Sequence, residues 1–266
     1  MPHLQRPDGC RLNYELHGPA LASPLVLLEG MGGDIPGWRR NIPHLSSSHL
    51  VIAYDFRGNG RSDKPDEPMT MRTFVQDTIA LLDHLEIARV HAYGQSFGGM
   101  VGIELSLGHP DRVRSLVLGC THGGRDRSAK ARGRSKVPKD KPYLSLYSPA
   151  FARSHPEHVA EDVLVGSQQR QPFHAGRRQW EAMKDWSAWD RLEAIGCPVL
   201  VLHGTEDQLV PVENGRMLAK LIPGAELVLL EGAGHVYHSE RPEEADEAVL
   251  RFLARVDASE PGRRGP

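Results

Sequence analysis

A doubly wound α/β sheet is the fold class this sequence predicts, and three observations predict it. Short apolar runs of strand length recur along the chain. They are bounded by Gly, Pro or Asp, and segments of helical period separate them. The length of 266 residues is compatible with that class. It exceeds a typical domain of ~150 residues, but α/β units often fill ~250 as a single body.

The first strand is expected over Arg11–His17, where apolar and polar residues alternate after a turn at Pro7-Asp8-Gly9. Leu25–Leu28, Leu50–Tyr54, Arg89–Tyr93, Val113–Leu118, Val199–Leu202 and Leu227–Leu230 follow, rich in Val and Leu. Continuous apolar runs of this length suit strands buried on both faces, as in a parallel sheet. Between them, Met71–Leu85 places Phe74, Thr78, Leu81, Leu82 and Leu85 on one helical face. A helix-like run covers Met100–Leu107, a short stripe joins Met217, Leu218 and Leu221, and a third spans Ala245–Val256. No internal repeat interrupts this order.

One segment breaks the alternation. Thr121 to about Ala188 carries no clear strand, and such a stretch inside a compact domain is usually a lid or insertion. Its Arg125–Lys141 portion holds eight basic residues against Asp126 and Asp140 and reads as a solvated loop. Tyr143, Tyr147, Phe151, Phe173, Trp180, Trp186 and Trp189 follow, so three of the four Trp cluster near its end. The tail from 259 to 266 is expected to be frayed.

Composition narrows the function. Lys plus Arg is 32, Asp plus Glu is 34 and the net charge is -2, which excludes a strongly basic nucleic-acid binder. No run approaches the ~18 apolar residues of a membrane span, and no basic-then-apolar leader opens the chain. A cytoplasmic protein with neither nucleic-acid nor membrane partners is expected. Cys10, Cys120 and Cys197 are too few and too scattered for a disulfide framework, and no CxxC pair suggests zinc.

The chemistry concentrates at strand ends. Gly94-Gln95-Ser96-Phe97-Gly98-Gly99 follows the expected strand Arg89–Tyr93 and precedes the helical run. A string of the form GxSxG arises by chance on the order of 0.2 times in such a chain, so its context decides. A strand turning sharply into a helix strains its apex residue and needs small neighbours two positions away on either side. Ser96 would then stand at the carboxyl edge of the sheet, where α/β folds place ligands. A serine hydroxyl needs a base, and that base needs an orienting acid. Val199–Leu202 runs into His203-Gly204-Thr205-Glu206-Asp207, and Leu227–Leu230 runs into Glu231-Gly232-Ala233-Gly234-His235.

The order Ser96, Asp207, His235, each just after a strand, resembles the α/β-hydrolase superfamily over nearly the whole chain. The sequence is most similar to small cofactor-free carboxylesterases, 3-oxoadipate enol-lactonases and non-haem perhydrolases. The resemblance implies a mostly parallel eight-stranded sheet flanked by helices. Its core would span 1–120 and 189–258, with an inserted helical cap at 121–188. It implies Ser96 as nucleophile, His235 as base and Asp207 as its orienting acid. The oxyanion donors would be the amides of Phe97 and Met31, the latter in the loop Glu29-Gly30-Met31-Gly32-Gly33. Gly30, Trp180, Trp186 and Val236 are candidates for the substrate pocket. No cofactor and no metal are implied, and the expected partner is a small-molecule ester or lactone.

Rivals have plainer roles. Glu206 adjoins Asp207, but the family's turn places its acid third after the glycine, which selects Asp207. His238 follows His235 by three residues and suits a structural role. His155 and His158 form an HxxH with no third ligand in view. Glu29 stands where relatives usually carry histidine, and is the clearest departure from the pattern. The loop's glycines resemble a dinucleotide site, but Ile35 occupies the third glycine position. A serine nucleophile favours cleavage of an ester, lactone or thioester over carboxylate-driven dehalogenation or epoxide opening. Perhydrolysis and non-catalytic binding of a small ligand are the alternatives. Oligomeric state is not legible.

Overall fold

A computed structural model describes residues 2–131 and 137–259. Arg132, Arg134 and Lys136 of the basic run, and the tail from 260 to 266, lie outside the described residues. The strands are β1 His3–Gln5, β2 Arg11–His17, β3 Ser23–Leu28, β4 His49–Tyr54, β5 Val90–Gln95, β6 Val113–Gly119, β7 Val199–Gly204 and β8 Glu226–Leu230. They form one eight-stranded sheet in the order β1-β2-β4-β3-β5-β6-β7-β8. β1 and β2 run antiparallel to their neighbours, and every pairing from β4 to β8 is parallel. The helices are α1 Ile42–Leu45, α2 Met71–His84, α3 Phe97–Gly108, α4 Pro149–Ser154, α5 Pro156–Ser167, α6 Phe173–Lys184, α7 Glu213–Leu221, α8 Tyr237–Glu240 and α9 Pro242–Ser259.

The apolar strand runs are explained by two buried layers. Val26, Ile52, Ala92, Leu116 and Val201 pack with Phe74 and Leu81 of α2 on one face. Their chain neighbours Leu25, Val51, Tyr93, Val117 and Leu200 pack with Val249 and Leu253 of α9 on the other. Successive side chains point to opposite faces, so both positions of the pleat are mainly apolar in the central strands, and the buried polar exceptions His91 and Ser115 bond to each other at 2.7 Å. α2 begins at a reciprocal cap, where Thr70 Oγ1 accepts the amide of Thr73 and Thr73 Oγ1 accepts that of Thr70.

Three expectations need correction. β1 was not anticipated because it is three residues long and mostly exposed. β8 is not covered on both faces: Glu226 and Leu227 are exposed, because β8 is the edge strand. Ser259 closes α9 instead of fraying, its hydroxyl donating to the Val256 carbonyl. Strands β5, β6 and β7 also run on to Gln95, Gly119 and Gly204, one or two residues beyond their apolar cores. The three cysteines are free. Among the described residues no helix is long and apolar enough to cross a membrane.

The segment between β6 and β7 contributes α4, α5 and α6. Its ends meet, since Gly124 and Ser187 form an antiparallel bridge and the Ala188 amide donates to the Gly123 carbonyl at 2.6 Å. An excursion that returns to its starting point leaves β6 and β7 free to pair as neighbours.

The turn after β4 is pinned from beneath. Arg57 Nε and Nη2 donate to the two carboxylate oxygens of Asp77 on α2 at 2.5 and 2.7 Å, both side chains being buried. Burial disfavours the Arg57 cation, but the paired Asp77 more than compensates and holds it charged. Asp77→Ala strands a buried cation and should cost about 3 kcal/mol, read as a lower urea midpoint at neutral pH. An unchanged midpoint would show that Asp8, which also contacts Arg57, suffices alone.

Candidate active site

Three loops converge at the carboxyl edge of the central strands. The first is the turn from β5 into α3, whose apex Ser96 has φ 52 and ψ −113, a left-handed conformation costly for a residue with a side chain. Its backbone is held on both sides: the Ser96 amide donates to the Gly119 carbonyl at 2.8 Å, and Thr121 Oγ1 donates to the Ser96 carbonyl at 2.6 Å. Glycine is required at two places by close approach. A Cβ on Gly94 would strike the Gly98 carbonyl, and one on Gly98 would strike the carbonyls of Leu28 and Glu29. The elbow therefore sits directly on the end of β3.

Asp207 lies in the turn after β7 with its side chain fully buried. Its Oδ1 accepts the amides of Leu209 and Val210 at 2.8 and 2.9 Å, and its Oδ2 lies 2.7 Å from His235 Nδ1. Burial alone would raise this carboxyl, but the charge and hydrogen bond of His235, with the Val210 amide, hold it below its ordinary value. An ionised Asp207 can only accept a hydrogen bond, so Nδ1 of His235 carries the hydrogen it donates, and Nε2 is left as the acceptor nitrogen. Glu206, the sequence neighbour, is exposed and faces away, lining a cavity of about 540 Å³ with Gln208 and Leu144. His203 stands 3.6 Å from Asp207 Oδ2 and is kept neutral by burial, its Nε2 bound to the Val210 carbonyl at 2.8 Å.

The third element is the loop after β3. Gly30 faces Ser96, since a Cβ there would lie 3.6 Å from Ser96 Cβ. The Gly33 amide closes a turn on the Gly30 carbonyl at 3.1 Å, and Asn59 Nδ2 donates to the Gly33 carbonyl at 2.7 Å. The amides of Met31 and Phe97 have no acceptor among the described residues, which leaves both available to a developing oxyanion. Glu29 is buried and pushed up to about 8 by desolvation, against the Gly30 amide that its Oε1 accepts at 2.7 Å.

The other pocket candidates divide. Val236 borders a cavity of about 180 Å³ beside the loop. Trp180 is 39% exposed, with Arg125 over its ring at 4.4 Å. The buried stripe of α6 is Ala175, Gln179 and Met183, so Trp180 sits one position off the face that meets the core. Trp186 is not brought to the loop: its indole donates to Glu104 Oε2 on α3 at 3.0 Å and packs against the main core. His155 stacks on Phe151, and His158 pairs with Ser239 Oγ at 2.9 Å.

Four residues that hold the site carried little sequence signal. Gln95 Nε2 donates to the His235 carbonyl at 3.1 Å, tying the elbow to the histidine turn. Glu240 accepts the Gly234 and Ser148 amides at 3.1 and 2.8 Å. Gln179, fully buried on α6, accepts the Gly32 amide at 3.3 Å and donates to Asn59 Oδ1 at 2.9 Å. His122, lowered to about 4 by burial and then by Arg125 and His235, follows β6 at the same sheet edge. Only His122 had a readable clue, its place just past a predicted strand.

Two groups among the described residues have metal-like spacing, His49 with His91 and Asp257, and Cys120 with His203 and Asp207. In the second, Asp207 is already engaged by His235. Neither group includes His155 or His158.

A parallel sheet with a strained serine elbow and an Asp–His pair at its carboxyl edge defines a hydrolase-type site. Residues 25–248 match the alpha/beta hydrolase family, and the chain belongs to it. A carbamate hydrolase assigned provisionally in Variovorax paradoxus, RutD, is 32% identical over 93% of this chain and 97% of its own. The 3-oxoadipate enol-lactonase 2 of Acinetobacter baylyi is 28% identical over 92% of this chain and 94% of its own. Among solved structures, the enol-lactonase of Burkholderia xenovorans LB400 superposes with a TM-score of 0.83 at 28% identity, covering 95% of this chain and 100% of that one.

Gly98→Ala tests the contact on which the elbow rests. Helix α3 must move off β3 to admit the methyl group, so the variant should lose about 1–3 kcal/mol in chemical denaturation. Retention of wild-type stability would mean that the Leu28 carbonyl yields instead.

Proposed function

We propose that this protein is a serine hydrolase that cleaves a carboxylic ester or lactone through an acyl-enzyme. The observation that carries the proposal is the 2.7 Å contact between Asp207 and His235 beside the strained Ser96 elbow. Relatives that include an enol-lactonase support it. Ser96 Oγ attacks the acyl carbon as His235 Nε2 accepts its proton, and Asp207 stabilises the imidazolium that forms. The tetrahedral oxyanion is received by the Met31 and Phe97 amides. Collapse expels the alcohol, which leaves with the proton from His235. For a lactone this alcohol stays attached as the other end of the opened ring. Water, deprotonated by His235, then attacks the acyl-enzyme and restores Ser96.

The test pairs an active-site label with turnover. A fluorophosphonate probe should label the wild type and leave Ser96→Ala unlabelled. Hydrolysis of p-nitrophenyl butyrate by Ser96→Ala or His235→Ala should fall by about 10⁴-fold. Asp207→Asn should fall by a similar factor while its fold, by circular dichroism, is kept. Labelling that persists in Ser96→Ala, or near-normal turnover in His235→Ala, would reject the assignment.

A further inference from the structure

The cavity of about 180 Å³ beside the site is walled from three sides. Glu29, Gly33 and Gly37 come from the oxyanion loop and its sequel, Tyr147 and Asp162 from the β6–β7 segment, and His238 from α8. Through Gly32 and Val236 it adjoins the neighbours of Met31 and His235. Its volume is roughly that of six waters in the liquid, enough for a group of several heavy atoms.

Its polar groups fall into two sets. One set is the ion pair of Asp162 with Arg39, in which Asp162 also accepts Tyr147 Oη at 2.9 Å and Ser239 Oγ at 2.5 Å. The other set is uncharged and left unsatisfied. Glu29 Oε2 and His238 Nδ1 are buried without any hydrogen-bond partner among the described residues. Both side chains are more than nine-tenths buried, at 6% and 4% exposure. Glu29 is gripped edge-on, since a Cβ on Gly37 would lie 2.8 Å from its Oε2. Two unsatisfied polar atoms among the residues lining one cavity are costly, and a partner supplied from outside would relieve that cost.

We infer that this cavity is a second compartment of the active site that takes the uncharged, oxygen-bearing end of the substrate. A keto, hydroxyl or amide group enters it, with Glu29 donating a hydrogen bond to the oxygen and His238 beside it. The assignment rests on the Ser96 triad proposed for the reaction. Charge selects the class. A substrate carboxylate would face Glu29, Asp34 and Asp162, with Arg39 already committed to Asp162. Burial first, then Asp34 and Asp55, raises Glu29 to about 8, so near neutral pH it carries the proton it must donate. His238, held down to about 4 by burial and then by His235 and Arg39, against Asp162, is a neutral imidazole there.

The experiment measures kcat/KM for matched esters that end in methyl, methyl ketone or carboxylate, with the group varied on the acyl arm in one series and on the alcohol arm in another. On one arm the ketone should exceed the methyl analogue about tenfold, one hydrogen bond's worth, with the carboxylate slowest. The readout is this ketone-to-methyl ratio. It should collapse to about one in Glu29→Leu and persist in Glu29→Gln, whose amide still donates. In the wild type the ratio should fall as pH rises through about 8, because Glu29 then loses its donor proton, while in Glu29→Gln it stays flat. A ratio near one on both arms, or one unmoved by Glu29→Leu and by pH, overturns the compartment even if Ser96 is labelled. Absence of Ser96 labelling overturns the triad and the compartment with it. If Glu29→Leu does not fold, the pH profiles of the wild type and Glu29→Gln decide alone.

Discussion

The close approach of helix α3 to the end of β3 is the constraint on which the site depends. Gly98 rests against the carbonyls of Leu28 and Glu29, which leaves no room for a side chain. That contact sets the depth at which the β5–α3 turn projects and forces Ser96 into its positive-φ conformation. It also places the first amides of α3 beside the loop that follows β3. The Ser96 elbow and the loop after β3 thus share one backbone contact, and neither can shift without the other.

Around that contact, polar side chains do the work of registration. Gln95 reaches the carbonyl of His235, Asn59 holds Gly33, and Gln179 from α6 holds Gly32. Asn59 belongs to the turn that Arg57 anchors on Asp77, so the loop is tied through that turn to the buried face of α2. The segment between β6 and β7 is fastened to the same centre by Glu240, which binds Ser148 and Gly234. Each of these bonds is buried or nearly so, where a lost partner costs far more than an exposed one.

Glu29 and Asp207 show how position decides the chemistry of one functional group. Both are buried carboxyls at strand ends on the same sheet edge. Asp207 is given a histidine and two amides, and stays ionised. Glu29 is given one amide and two acidic neighbours, and is pushed toward its neutral form. The first suits the orientation of a base, and the second suits hydrogen-bond donation.

Much of the fold was legible because central parallel strands are covered on both faces and mostly apolar, so Leu25–Leu28 or Val199–Leu202 stand out in one dimension. The edges divide: β1, short and mostly exposed, carries no such run, whereas β8 does in Leu227–Leu230 although its first residues are exposed. The elbow string and the two strand-end turns, at Asp207 and His235, were legible for the same local reason, since turn geometry restricts residue type. The pocket was not. Trp180 and Trp186 share composition and neighbourhood, yet Trp180 on α6 is capped by Arg125, while Trp186, beyond the end of that helix, is bonded to Glu104. Gln95, Gln179 and Glu240 act across more than a hundred residues or through backbone groups, and no periodicity announces such partners. The sequence alone determined the central strands and which side chains stand at their ends, because those follow from local backbone geometry and burial. Only the tertiary structure decided which of those side chains meet, which stay charged and which polar atoms are left without partners, because these depend on contacts between distant segments.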